Sequence, residues 1–300
     1  MRVSYFILII LLLGCNNPAN KNRINRKEVV SRHNIVSEKF SKRSPAQVGN
    51  GEIAFGVDIT GLQTFVPFNT LSQWGWHSDP VPEGVDISNF KGQQVLHNGR
   101  MVTYPLRNEE TEEQKVITEW LVGNPHRINL ARIAFSLLGA EGKEVAMTDL
   151  QNCLQEVDLW SGIISSYFEI DDIPVQVYTA CHPDRDLIAV TVESPLIDLK
   201  RLAVKITFPG ASAHNSRKGN YIGIWDEPDR HATTYSGTKQ KVIFTRELDQ
   251  EKYYSALSWD TPCIFSEAED NPHTYRLTPE GNKMAFTCEF SPKQIQEKPV

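Results

Sequence analysis

Two tryptophans separated by one glycine form the part of the sequence best suited to ligand binding. They lie in the segment 70–78, which reads TLSQWGWHS. In an extended chain Trp74 and Trp76 point to one face, because successive side chains alternate. A flat aromatic face stacks on a sugar ring, and polar side chains beside it bind hydroxyls. The segment therefore predicts carbohydrate contacts on an exposed loop by Gln73, Trp74, Trp76 and His77. The alternative is that both indoles fill the core.

Recognisable signatures of catalysis or metal binding are missing from the sequence. It contains no GxSxG, HExxH, P-loop or GxGxxG motif. Its eight histidines share no metal-ligand spacing, and each is interpreted as a surface or turn residue. Paired catalytic carboxylates are recognised by their separation in space, which a list of acidic residues does not supply. We therefore expect no catalytic residue, no metal ligand and no cofactor.

The N-terminus has the features of an exported lipoprotein. Arg2 precedes an apolar run over 5–13 that is too short to span a bilayer. The following Leu-Leu-Gly-Cys, which ends at Cys15, resembles a bacterial lipobox, although Leu13 is bulkier than the usual residue. This predicts a signal peptide over 1–14, acylation of Cys15, and a membrane-anchored protein of the periplasm or outer membrane. An ordinary signal peptide with a chance cysteine is the alternative.

Charge divides the chain into a basic tether and an acidic body. Residues 16–43 contain eight basic and two acidic side chains, whereas the whole chain has a net charge of −6. We interpret 15–44 as the lipidated cysteine and a flexible basic linker, which would suit anionic headgroups or simply be solvated. The acidic body argues against nucleic acid as a partner, because nucleic-acid binding depends on Lys and Arg that neutralise phosphates.

Strands predominate among the elements that must position these residues. Apolar side chains alternate with others in four segments, which is the period of a strand with one buried face: 53–59, 188–192, 202–208 and 284–290. Four segments separated by short turns predict an antiparallel meander: 155–161, 163–170, 174–181 and 186–193. Trp160 and Trp259 also lie inside strand patterns and are interpreted as core residues.

One short helix and one large domain complete the expected architecture. Apolar residues recur at helical spacing near 112–122, and Thr111 precedes two glutamates that suit a helix N-terminus. Many strands with few helices favour two packed sheets. We predict an all-β fold: a large two-sheet antiparallel β-sandwich over 45–295, followed by a tail at 296–300.

The disulfide state is left open by the sequence. Four cysteines remain besides Cys15: Cys153, Cys181, Cys263 and Cys288. An exported compartment permits disulfides, and four cysteines allow three complete pairings. Free buried thiols are the equal alternative.

Seven motifs resemble those of six-hairpin glycosidases, near glycoside hydrolase families 65 and 95. They are VGNGEIAF at 48–55, TGLQTF at 60–65, QWGWHS at 73–78, NPHR at 124–127, DLWSG at 158–162, CHPDRD at 181–186 and VESP at 192–195. The resemblance covers about residues 30–290 and is moderately specific to an exported group of such proteins.

This resemblance implies an N-terminal β-supersandwich similar in shape to galactose-mutarotase domains. In the family an (α/α)6 barrel follows it and carries the general acid and the general base. The two carboxylates have no counterpart here, so no catalytic residue is carried over. The implied function is that of the non-catalytic domain, or a truncated product, of an inverting glycoside hydrolase acting on oligosaccharides, with carbohydrate and the barrel as partners. The alternatives are a stand-alone carbohydrate-binding lipoprotein and a structural or partner-docking sandwich.

Overall fold

Antiparallel strands are the main regular secondary structure of the computed structural model. It describes residues 24–105, 107–108, 111–212, 222–268 and 271–296. The expected signal peptide over 1–14, Cys15 and most of the tail at 296–300 lie outside the described residues. Within the described ranges, no helix is both long and apolar enough to cross a membrane.

Two helices and twenty strands are assigned in the described ranges. The helices are α1 Arg26–Ser31 and α2 Glu112–Gly123. The strands are β1 Ile35–Ser37, β2 Ala46–Gly49, β3 Ile53–Val57, β4 Thr70–Ser72, β5 Trp76–His77, β6 Gln93–His97, β7 Arg100–Tyr104, β8 His126–Arg127, β9 Arg132–Leu137, β10 Gln151–Asp158, β11 Ile163–Ile170, β12 Ile173–Cys181, β13 Leu187–Glu193, β14 Leu202–Thr207, β15 His231–Thr238, β16 Lys241–Leu248, β17 Glu251–Trp259, β18 Cys263–Glu267, β19 Thr274–Pro279 and β20 Lys283–Ser291.

The strands form one large sheet and several smaller ones. The nine-stranded sheet has the order β1-β10-β11-β12-β13-β20-β17-β16-β15, and a four-stranded sheet has the order β18-β19-β14-β9. A three-stranded sheet, β2-β3-β4, and two ribbons, β5-β8 and β6-β7, complete the set. One hydrophobic cluster contains side chains from the three larger sheets, among them Val190, Val204 and Phe55. The all-β sandwich predicted from the sequence is therefore confirmed.

The period-two pattern explains how the large sheet contributes to this core. In β20 the side chains of Met284, Phe286, Cys288 and Phe290 are at most 2% exposed, whereas their neighbours are not buried. The meander β10 to β13 forms as predicted, each strand pairing antiparallel with the next. Trp259 is buried as expected, but Trp160 is 48% exposed in the turn after β10, which contradicts its assignment to the core.

Helix α2 starts and ends close to its predicted limits. The Thr111 hydroxyl accepts a hydrogen bond from the Gln114 amide at 3.2 Å, which satisfies one of the free amides of the first turn. Ile117 is fully buried on the inner face. The Trp120 indole N–H donates to the carbonyl oxygen of Asp79 at 3.1 Å. The helix thereby contacts the segment that follows Trp76 and His77.

Part of the segment expected to be a flexible linker is ordered. Asn25 caps α1, and β1 forms the edge of the large sheet by pairing with β10, with Ile35 opposite Val157. Asn34 anchors this edge, because its side-chain amide donates to Glu156 Oε1 at 2.9 Å. The basic composition of this segment did not indicate a short strand, because the strand forms only by pairing with β10, more than a hundred residues away. The folded unit therefore begins before residue 45.

The four described cysteines are free thiols. Three are partly buried and Cys288 is fully buried. Burial raises the pKa of both Cys263 and Cys288 to about 12. Because the thiolate is the reactive form, these two thiols are unreactive near neutral pH.

Candidate functional site

The segment predicted to contact sugar leaves the three-stranded sheet through a tight turn. It runs from β4 into β5, and the Gly75 amide donates to the Ser72 carbonyl at 3.0 Å. β5 then pairs with β8, which places Trp76 opposite Arg127 and His77 opposite His126. Because the backbone turns between the two tryptophans, they do not share a face. The expectation from an extended chain is wrong here.

Trp74 points inward and is anchored. It is partly buried, packs on the hydrophobic core, and its ring centroid lies 6.1 Å from that of Tyr253. Its indole N–H donates to Asp186 Oδ2 at 2.7 Å, and the Ser72 hydroxyl donates to the same oxygen at 2.5 Å. Trp74 therefore has a core role, which was the alternative interpretation of the sequence.

Trp76 points outward and is held in a fixed position. Its side chain is 43% exposed, and its indole N–H donates to the Gln73 carbonyl at 2.9 Å. The Arg127 guanidinium lies 3.9 Å from the ring centroid and donates to the Ser72 and Gln73 carbonyls, each at 2.9 Å. This arrangement is a cation–π contact reinforced by charge-assisted hydrogen bonds. Arg127 therefore covers one face of the ring and fixes its position, while 43% of the Trp76 side chain remains exposed.

A surface depression lies beside this arrangement. Its volume is about 390 Å³, and it is lined by strands β2, β3 and β4 together with the turn after β4. The polar side chains in its lining belong to Gln47, Glu52, Ser72, Gln73 and Arg127. Trp76 lies next to the depression but does not line it. The amide, carboxylate and guanidinium groups of the lining can donate to and accept from hydroxyls, so the depression suits a neutral polyol.

His77 lies beneath this surface. It is 1% exposed, and its Nδ1 lies 3.1 Å from Nε2 of His126, which is 3% exposed. Its Nε2 lies 2.9 Å from Asp249 Oδ2. The expectation that every histidine is a surface or turn residue is therefore wrong for this pair. Gln73 and Trp76 are exposed, as expected for the loop, whereas His77 is buried.

These two histidines belong to a group that could hold a metal ion. Potential ligand atoms of His77, Asp79 and His126 all lie within 4.8 Å of one another. Burial lowers the pKa of His126, and the neighbouring His77 lowers it further. Sequence spacing does not predict the group, because His126 lies 49 residues from His77, although Asp79 lies near His77 in the sequence. The NPHR and CHPDRD motifs nevertheless contain His126, Arg127 and Asp186, three site residues that sequence reasoning did not single out.

A second buried polar cluster surrounds Arg246. This side chain is completely buried, and its guanidinium donates to the Pro209 and Ala232 carbonyls at 2.8 Å each. It also lies 2.9 Å from Nδ1 of His231. Burial, the positive charge of Arg246 and the nearby His273 lower the pKa of His231 to about 3. His231 is therefore neutral in the native protein across the physiological range.

We expect this cluster to make the protein sensitive to acid. Native His231 stays neutral down to a pKa of about 3, whereas an unfolded histidine takes up a proton near pH 6.5. Between these values the unfolded state binds more protons, so the associated stability is present above about pH 6.5 and is lost as the pH falls toward 3. The loss should be on the order of 2–4 kcal/mol in urea titrations. The variant His231→Gln should have a shallower pH dependence, and an unchanged one would contradict this assignment.

Comparisons with known proteins identify a shared fold. No protein-family model matches the sequence, and no curated protein matches it significantly. The structure is similar to a solved chain described as "Putative kojibiose phosphorylase from human microbiome", with a TM-score of 0.52 and 10% sequence identity. The match covers 87% of this chain and 32% of the other, so this chain spans about a third of that protein's length. At this identity, the likeness shows that most of the chain has the fold of one region of that larger protein.

Proposed function

We propose that this chain is a carbohydrate-processing protein, specifically the non-catalytic β-sandwich domain that supplies one wall of an oligosaccharide cleft. The observation that carries the proposal is the likeness over 87% of this chain to a protein described as a kojibiose phosphorylase. The motifs that resemble those of six-hairpin glycosidases support it independently. In that family a catalytic (α/α)6 barrel completes the cleft and supplies the acid and base, and we propose such a barrel as the partner.

The surface around Trp76 is the proposed contact with sugar. The exposed indole supplies a face for stacking, and Gln73 supplies an amide beside it. Arg127 keeps the ring in place, so little conformational entropy is lost on binding. Trp74 and His77 support this surface from the inner side. We also propose that the protein is exported and anchored through Cys15, on the evidence of its N-terminal sequence.

Titration with kojibiose tests the proposal. Half a cleft that uses one indole should bind weakly, with a Kd of about 1 mM, or roughly −4 kcal/mol. We expect Trp76→Ala to weaken binding at least tenfold in ligand-observed NMR. Trp160→Ala is the matched control, because Trp160 is 48% exposed but lies in the turn after β10. It should bind like the wild type.

The result can also contradict the proposal. It fails if neither kojibiose nor any other oligosaccharide in a broad panel binds. It fails equally if the Trp76 and Trp160 variants lose binding to the same extent, since the effect would then not be local to the proposed surface.

A further inference from the structure

The outer nitrogens of the buried histidine pair already have hydrogen-bond acceptors. Nδ1 of His126 lies 3.2 Å from the Gly123 carbonyl oxygen. Nε2 of His77 lies 2.9 Å from a carboxylate oxygen of Asp249. A carbonyl and a carboxylate accept and do not donate, so both outer nitrogens carry the ring proton.

The two inner nitrogens consequently face each other as lone pairs. A neutral imidazole has only one N–H, so Nδ1 of His77 and Nε2 of His126 are both left without a proton. They lie 3.1 Å apart in a buried position, where such a contact is repulsive unless a cation lies between them. That cation is either an additional proton or a metal ion. If each of these nitrogens lay about 2.05 Å from one ion, an N–metal–N angle of about 100° would give the observed separation.

Three carboxylates lie close to the histidine pair. Asp79 offers an oxygen within 4.8 Å of ligand atoms on both histidines. Glu251 Oε2 lies 3.8 Å from Nε2 of His77, in addition to the contact with Asp249. Three carboxylates next to two neutral imidazoles can balance a divalent cation. Outer imidazole N–H groups that donate to a carboxylate and a backbone carbonyl are the usual second shell of metal-bound histidines.

We propose that His77, His126 and Asp79 bind one divalent first-row transition-metal ion, with Zn²⁺ as the probe. Two imidazoles and one carboxylate are a ligand set for zinc and its neighbours rather than for Ca²⁺ or Mg²⁺. Asp249 and the Gly123 carbonyl are the positioning groups that orient the two rings. Because His77 in β5 lies opposite His126 in β8, the ion would link these two strands. The next pair along the same ribbon is Trp76 and Arg127. This proposal does not depend on sugar binding.

Metal titration of the chelator-treated protein tests the site. We expect one equivalent of Zn²⁺ to bind with a Kd of about 1 µM or tighter by calorimetry. Co²⁺ should give visible absorption bands of a low-coordinate site. Asp79→Asn and His126→Gln should each weaken binding at least tenfold. His97→Gln is the control, because His97 is exposed in the hairpin β6–β7, and it should bind like the wild type.

Two further readouts separate ligands from positioning residues. Asp249→Asn should weaken Zn²⁺ binding about 10–100-fold without abolishing the Co²⁺ bands. Zn²⁺ at about a hundredfold excess over Kd should raise the melting temperature of the wild type by roughly 5–10 °C. The same addition should leave Asp79→Asn nearly unchanged.

The proposal is overturned if 1 mM Zn²⁺ neither binds stoichiometrically nor raises the melting temperature, since a shared proton would then occupy the gap. Binding that is identical in the wild type and Asp79→Asn would also overturn it. If His126→Gln does not fold, the isosteric Asp79→Asn and the wild-type Co²⁺ spectrum decide the question.

Discussion

Substitution of Trp74 by alanine should lower the free energy of unfolding by about 3 kcal/mol. The indole packs on the core near Tyr253, and its removal leaves a cavity whose walls lose contacts. The substitution also removes the donor to Asp186, a carboxylate bond that contributes roughly 1.5–3 kcal/mol in other proteins. Trp74→Phe, which keeps an aromatic ring and loses the N–H, should cost about half as much. Denaturant titration of the wild type and of both variants measures these losses.

Trp76→Ala is the matched comparison. Trp76 occurs two residues later in the same segment, but its side chain is 43% exposed and faces Arg127. The loss of a surface cation–π contact should cost less than about 1 kcal/mol. Equal losses from the two substitutions would show that both indoles serve the core. A negligible loss from Trp74→Ala would show that its buried contacts contribute little.

Arg246→Ala should cost about 3–5 kcal/mol. The guanidinium is fully buried, and its removal leaves the carbonyl oxygens of Pro209 and Ala232 without this donor. A buried acceptor that loses its partner costs about 1–3 kcal/mol, and the vacated volume adds to this loss. Arg246→Lys should recover only part of it, because a single ammonium does not reproduce the planar fork.

A lysine on the next strand provides the control for the charge. Lys252 is paired with Glu247 at 2.6 Å, but both side chains are 49% exposed. Lys252→Ala should therefore change the free energy of unfolding by less than about 1 kcal/mol. If Arg246→Ala and Lys252→Ala lower the free energy of unfolding by similar amounts, the buried contacts of Arg246 do not contribute more than an exposed ion pair. A cost below 1 kcal/mol for Arg246→Ala would lead to the same conclusion.

Local patterns were sufficient to predict the fold class, the strands β3, β10 to β14 and β20, and helix α2. The alternation in 284–290 predicts a strand because one face of it must be buried, and β20 follows it. Thr111 predicts the start of α2 because its hydroxyl satisfies an amide within the same turn. Asp171 and Asp172 mark the turn between β11 and β12, and both have positive φ. Each signal depends on residues only a few positions apart.

The candidate site depended on contacts that such patterns do not contain. The spacing of Trp74 and Trp76 suggested a shared face, but the turn at Gly75 directs one indole toward Asp186 and the other toward Arg127. His77 has its partners at His126 and Asp249, far along the chain. The resemblance included His126, Arg127 and Asp186 in its motifs without assigning them roles.

The sequence by itself therefore determined strands β3, β10 to β14 and β20, where α2 begins, and that the protein is an all-β sandwich. These properties follow from side-chain alternation and capping, which act over a few residues. Only the tertiary structure decided that Trp74 is anchored, that Trp76 is exposed, and that two histidines meet beside carboxylates. The physical reason is that burial and the choice of hydrogen-bond partners depend on which strands become neighbours. That choice is made by the packing of the whole chain around one core.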